Sequence, residues 1–135
     1  MKKIFLSILL ILVSLNASIL DDANAAYYSA NYKKAHNLYS KACDNQNMTA
    51  CNNLGIMYFY GDGVKVNKQK ALKYYSKACI SNHFSACNTL GLLYDTGNGV
   101  EKNKEIASKF YIKACQGGNK TACNNYKRLK EKGFE

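Results

Sequence analysis

The sequence predicts an all-α fold, a short right-handed α-solenoid of stacked antiparallel helix pairs, each pair stapled by a disulfide. Three observations predict it. Six cysteines recur as three pairs at a fixed step of 36 residues. The residues around each pair repeat with helical spacing. Proline is absent throughout, so nothing in the 135 residues forces a kink or break inside a helix.

The N-terminal segment comes first. Met1, Lys2 and Lys3 are followed by an apolar run over residues 4–15, interrupted only by Ser7 and Ser14. A basic start and an apolar stretch shorter than the roughly 20 residues of a membrane span are the pattern of a secretory signal. Residues 1–17 are therefore expected to be a signal peptide. Cleavage is placed after Ala17 or Ser18, with Ala25 as the alternative, because residues 19–28 are usable as a helix. No cysteine lies near this point to carry a lipid, so no stable membrane anchor is expected.

Residues 18–135 are expected to form one repeat domain. Within it, residues 18–34 form a half repeat, 35–70 and 71–106 full repeats, and 107–135 a capping copy. Self-similarity at such a period is the mark of stacked supersecondary units. All three copies carry A-x3-Y-x-K-A-C-x6-A-C-N. In the first, Ala35, Tyr39, Ala42 and Cys43 fall on one stripe of a helix A. Ala50, Cys51, Leu54, Met57 and Tyr58 give the stripe of a helix B, closed by Gly61-Asp62-Gly63, where glycine suits a helix end and a turn with positive φ. The third copy replaces the Leu-Gly of Leu54-Gly55 and Leu90-Gly91 by Tyr126-Lys127 and continues into a polar helix, which predicts a terminal cap. One helix pair cannot bury its own apolar faces; stacked neighbours bury them together.

Within each copy the two cysteines lie eight apart: Cys43 and Cys51, Cys79 and Cys87, Cys115 and Cys123. A tight helical hairpin brings the end of helix A and the start of helix B within the Cα separation a disulfide needs, about 4.4 to 6.8 Å. This selects within-copy pairing from fifteen connectivities. On the chain-entropy model each loop of about nine residues stabilises by roughly 2 to 3 kcal/mol. An exported chain this short, with little core of its own, is where such staples occur. Structural zinc wants thiolates closer together and thioredoxin chemistry wants C-x-x-C, so no metal site and no cofactor is expected.

The formal charge is +10, and removing Lys2 and Lys3 leaves about +8. An anionic partner is favoured: a protein, a peptide, or an envelope component such as a phosphate-bearing glycolipid. Nucleic acid is not expected for an exported protein. Lys41, Lys77 and Lys113 occupy the same helix A position in every copy. Successive A helices about 10 Å apart would set them in a row, the candidate binding face. At a Debye length of about 8 Å such a row attracts an extended anion while its members barely perturb one another. The alternative is that their stems lie over Tyr39, Tyr75 and Tyr111 with the charges in water.

These residues resemble the Sel1-like repeat and, more narrowly, the Helicobacter cysteine-rich protein family. In the second copy the matches are Ala71, Tyr75, Lys77, Ala78 and Cys79, then Ala86, Cys87, Leu90 and Gly91, then Tyr94, Gly97, Gly99 and Val100. The resemblance implies a secreted or periplasmic protein- or peptide-binding scaffold. It also implies a β-lactamase reading, β-lactam binding with slow hydrolysis, which some members of that family carry out. The residues do not spell that chemistry. No serine has lysine three residues on, and S-D-N and K-T-G are absent. The two histidines, His36 and His83, occupy non-equivalent positions and read as packing or surface residues. Ser40 and Ser76 are the recurring serines beside a repeat lysine, but adjacent helix residues point apart. The catalytic residues, if any, are unknown.

Overall fold

The structure, a computed structural model, describes residues 1–134, residue 16 as backbone only. Those residues form seven helices and no strand: α1 (Lys2–Tyr28), α2 (Tyr32–Asp44), α3 (Met48–Tyr60), α4 (Lys68–Ile80), α5 (Phe84–Thr96), α6 (Lys104–Gln116) and α7 (Lys120–Lys130). Helices α2, α4 and α6 are the A helices; α3, α5 and α7 are the B helices.

The local sequence sets where each helix starts. Asn31, Asn47, Asn67, Asn103 and Asn119 are N-caps whose side-chain oxygens accept the backbone N–H three residues on. At α5 a histidine takes this role: His83 Nδ1 accepts from Ala86 N–H at 3.3 Å. Each such cap is worth about 1 kcal/mol. Helices α3 and α5 end at Gly61 and Gly97, whose φ values of 80° and 73° are left-handed, a conformation that costs glycine nothing. In the A-to-B turns the left-handed position is taken by Gln46, Asn82 and Gly118.

The predicted stripes are the core, except that Tyr58 is only partly buried and packs at its margin. Ala35, Tyr39, Ala42 and Cys43 of α2 are buried, with their counterparts on α4 and, save the half-buried Cys115, on α6. Facing them are Ala50, Cys51, Leu54 and Met57 of α3 and Ala86, Cys87, Leu90 and Leu93 of α5. The Leu-Gly motif has a steric cause. A Cβ built on Gly55 would lie 2.6 Å from Tyr75 Cε1, and one on Gly91 would lie 2.5 Å from Tyr111 Cδ1. Helices α3 and α5 thus each leave a gap for the ring of the next A helix, so the stack propagates by B-to-next-A packing while cysteines tie A to B.

The disulfides are Cys43–Cys51, Cys79–Cys87 and Cys115–Cys123, with Cα separations of 4.8, 4.8 and 4.5 Å. Three bridges in so small a chain are the pattern of an extracytoplasmic protein.

Helix α1 has two characters. Its apolar side chains over residues 4–15 are half exposed or more, whereas Ile19, Ala23 and Ala26 are buried against the repeats. By length and composition the whole helix could cross a membrane. Its second half serves as a B helix for α2: Asn24 Oδ1 accepts from Tyr39 O–H at 2.7 Å and from Asn53 Nδ2 at 3.4 Å. Tyr27 O–H donates to Asp62 Oδ2 at 2.6 Å; that hydrogen bond, then burial, pushes the Tyr27 phenol far above its usual range.

Candidate functional site

Equivalent positions on the three A helices hold the predicted lysines in three different environments. Lys41 is exposed, while Lys77 and Lys113 are partly buried. Lys77 Nζ donates to the Cys43 carbonyl at 3.2 Å, so its charge sits at the C-terminus of α2, where a helix dipole favours a cation. The row is therefore not three equivalent free ammonium groups. Nor do the lysine stems lie over the repeat tyrosines in solvent. Tyr39, Tyr75 and Tyr111 are 2%, 2% and 0% exposed; the glycine gaps at Gly55 and Gly91 admit the rings of Tyr75 and Tyr111, and Tyr39 packs against α1, where its hydroxyl reaches Asn24. Burial raises the Tyr75 phenol far above the ordinary range and Tyr111, beside the Asp95 carboxylate, to about 12.

The A-helix face carries more cations than the predicted row. On α4, Lys70, Lys73 and Lys77 with Tyr74, Ser76 and Ile80 border a depression of about 610 Å³. Lys73 is exposed, as are Lys34 on α2 and Lys109 on α6. Aromatic rings stiffen one edge. Tyr58 stacks on Tyr74 at 5.7 Å between centroids, Tyr94 stacks on Phe110 at 5.7 Å, and Lys70 Nζ lies 5.1 Å from the Tyr58 ring. A basic face with fixed aromatic edges suits an extended anionic chain.

The serine and histidine candidates fall into structural settings. Ser76 borders the α4 depression, but the adjacent Lys77 amine is engaged by the Cys43 carbonyl. Ser40 is partly buried on α2. His36 Nε2 is 3.0 Å from Tyr58 Oη, and His83 caps α5. Among the described residues no cluster of three His, Cys, Asp or Glu side chains could hold a metal.

One ionic site was not foreseen. Asp95, 7% exposed, pairs with Arg128 Nη2 and with Lys104 Nζ at 3.1 Å, and accepts from Tyr111 O–H at 3.5 Å. Burial pushes the Asp95 carboxyl upward, but the hydrogen bonds from Arg128 and Lys104 outweigh it and hold the group below its usual range. The signal was a pair of departures from the repeat. Asp95 stands where the preceding copy has Phe59, and Arg128 stands where it has Leu92. The Asp95 carboxylate would be costly to bury alone; the half-exposed Arg128 guanidinium and the Lys104 amine satisfy it.

Comparison with known proteins locates the architecture. The Sel1 repeat model matches residues 24–47, 49–83 and 85–119, a frame that begins on the B helix and so follows the B-to-next-A packing. Cysteine rich protein B of Helicobacter pylori is 40% identical over 68% of this chain and 69% of its own, with a TM-score of 0.65. A Sel1 repeat protein from Oxalobacter formigenes is 29% identical over 85% of this chain, with a TM-score of 0.80. A protective antigen present in uropathogenic Escherichia coli strains is 33% identical over 76%, with a TM-score of 0.71. The match spans only 47% and 22% of the lengths of these last two. No curated protein matches. The repeat spacing, the Gly–Tyr packing and these matches agree: the chain belongs to the Sel1 repeat family.

Proposed function

We propose that this protein is an exported scaffold that binds an acidic protein segment or anionic envelope component along its A-helix face. The observation that carries the reading is the alignment of cations on three successive A helices: Lys34 and Lys41, then Lys70, Lys73 and Lys77, then Lys109 and Lys113. The net charge of +10 and the depression on α4 support it. Export is supported by the three disulfides and by the apolar N-terminal half of α1, which finds no packing partner among the described residues and which we assign as a signal peptide over residues 1–17. Cleavage before Ile19 would retain the buried Ile19, Ala23 and Ala26; cleavage after Ala25 would remove Asn24 from the Tyr39 hydroxyl. On this reading the protein is periplasmic or secreted.

The test uses protein exported by an expression host, immobilised and challenged with envelope extract. Partners recovered by the wild type are compared with those recovered by Lys41→Glu/Lys73→Glu/Lys109→Glu. Lys77 is left intact because it holds α2. The expected result is a partner set released by raising salt to about 0.5 M, where screening shortens to a few Å, and missing from the variant. Equal recovery by both proteins would refute the assignment of the A-helix face.

A further inference from the structure

The three disulfides share one spacing but not one environment. Cys43, Cys51, Cys79 and Cys87 are 1%, 0%, 1% and 0% exposed, whereas Cys115 and Cys123 are both partly exposed. Helices α4 and α6 pack over the first two hairpins, and Lys77 Nζ closes on the Cys43 carbonyl. The third hairpin offers no equivalent seat for another A helix, because Lys127 stands where Gly55 and Gly91 admit the rings of Tyr75 and Tyr111. Thiol–disulfide exchange needs access to a sulfur, so the third bridge is the one that a thiolate in solution reaches without unfolding the stack.

Further departures from the repeat fall on this same hairpin. Lys120 stands where the other copies have Met48 and Phe84, and Lys127 replaces the two glycines, so cations lie three residues before Cys123 and four after it. Those intervals put them on the Cys123 side of α7, and both are exposed. Cys123 is in the first turn or so of α7, where the helix N-terminus and the two ammonium groups both favour a thiolate. Cys115 lies one residue from the C-terminal end of α6, where the helix dipole disfavours one. The turn between them is Gly117-Gly118, against Asn45-Gln46 and Ser81-Asn82 in the other hairpins, so this link gains the most freedom once its staple is open.

We propose that Cys115–Cys123 is a thiol-exchange site, at which a dithiol protein opens the terminal hairpin and loosens α7 while the two buried bridges keep the rest of the solenoid folded. A thiolate of the dithiol attacks Cys115 Sγ, the S–S bond breaks, and Cys123 leaves as a thiolate that takes up a proton. The second thiolate of the dithiol then displaces Cys115 from the mixed disulfide. The dithiol is oxidised to its disulfide, the cystine is reduced to two thiols, and two protons pass from the one to the other. What still holds α7 is the buried Leu129, the Arg128–Asp95 pair and the Ser108 hydrogen bond to the Phe134 carbonyl. The site uses no A-face lysine and stands apart from the scaffold reading above.

The test treats the protein, as exported and processed by the host and without denaturant, with reduced thioredoxin and, in parallel, with dithiothreitol. Free thiols are trapped with N-ethylmaleimide and located by peptide mass spectrometry. Cys115 and Cys123 should be labelled roughly tenfold or more ahead of the other four, which need the stack to open first, and most of that lead should vanish in urea. In protein reduced at this bridge alone, hydrogen exchange of the α7 amides should quicken roughly 30- to 100-fold, the effect of losing one short-loop constraint, with α2 to α5 unchanged. Lys120→Gln/Lys127→Gln should slow the reaction about threefold at low salt and not at high salt. Glutathione, a monothiol, should be recovered as a mixed disulfide on Cys115. No labelling short of unfolding, simultaneous labelling of all six cysteines, or unchanged α7 exchange after reduction would each overturn the site. A lead that persists in urea would overturn its origin in the fold, and reduction by dithiothreitol alone would overturn a protein as the reductant. Glutathione on Cys123 would overturn the direction of attack, and an unslowed lysine variant the role of the cations.

Discussion

Replacing Gly55 by alanine adds one methyl group at the point where the stack propagates. The Cβ would lie 2.6 Å from Cε1 and 2.7 Å from Cδ1 of Tyr75, whereas carbon atoms rest about 3.5 to 4.0 Å apart. The ring or its helix must therefore withdraw by roughly 1 Å, and Tyr75 is 2% exposed with core on either side. Overpacking of this kind costs about 1 to 3 kcal/mol, and the short contact to a ring held by two helices puts it at the upper end. Alanine returns about 1 kcal/mol through its better helix propensity. The expected net loss is about 1 to 2 kcal/mol, or a fall in Tm of roughly 5 to 10 °C for a domain of this size. Unfolding followed by far-UV circular dichroism, with the disulfides intact, measures it. The mechanism also demands coupling. In a Tyr75→Leu background the methyl group meets no ring, so Gly55→Ala should become neutral or stabilising by up to about 1 kcal/mol. A stabilising Gly55→Ala in the wild-type background, or an undiminished loss in the Tyr75→Leu background, would refute the claim that Leu-Gly exists to seat the next tyrosine.

The histidine cap gives a pH signature. Burial lowers the His83 pKa below 6.5, so the unfolded chain binds the extra proton first, and stability is full above pH 6.5 and falls as pH drops through the folded value. His83→Asn, which restores the cap used at Asn47 and Asn119, should remove this slope in denaturation midpoints measured between pH 7.5 and 4.5. Asp95→Asn should cost about 1 to 2 kcal/mol at neutral pH, since Arg128 and Lys104 lose a charged partner but reach solvent. Because the folded carboxyl lies below 3.8, that difference is full above this value and should close as pH falls through the folded pKa; a gap that stays constant in acid would remove the ion pair as its cause. Cys79→Ser/Cys87→Ser should lower stability by roughly 2 to 3 kcal/mol, read from urea midpoints, and an unreduced digest of the wild type should yield only within-copy cystine peptides.

The legible part of this protein was its periodicity. Ala35, Tyr39, Ala42 and Cys43, with the corresponding stripe on α3, could be assigned to a core from spacing alone, because helical geometry converts intervals of three and four residues into one face. The glycines after α3 and α5 were legible for the same local reason, a turn that needs positive φ. The A-helix N-caps Asn31, Asn67 and Asn103 recur at the repeat step and were just as readable, but attention to apolar stripes passes over a polar residue just ahead of each one. The hydroxyl partners of the repeat tyrosines carried no such signal: Tyr39 reaches Asn24 and Tyr111 reaches Asp95, and what differs is the residue across the stack.

Sequence alone therefore determined the helix pairs, their period and the local pairing of cysteines, all of which depend on residues a few positions apart. Tertiary structure decided what the side chains are for. It seated the rings of Tyr75 and Tyr111 over Gly55 and Gly91, drew Lys77 onto the end of α2, and joined Asp95 to an arginine 33 residues away. Those outcomes depend on which residues meet between successive units, and one-dimensional spacing does not carry that distance.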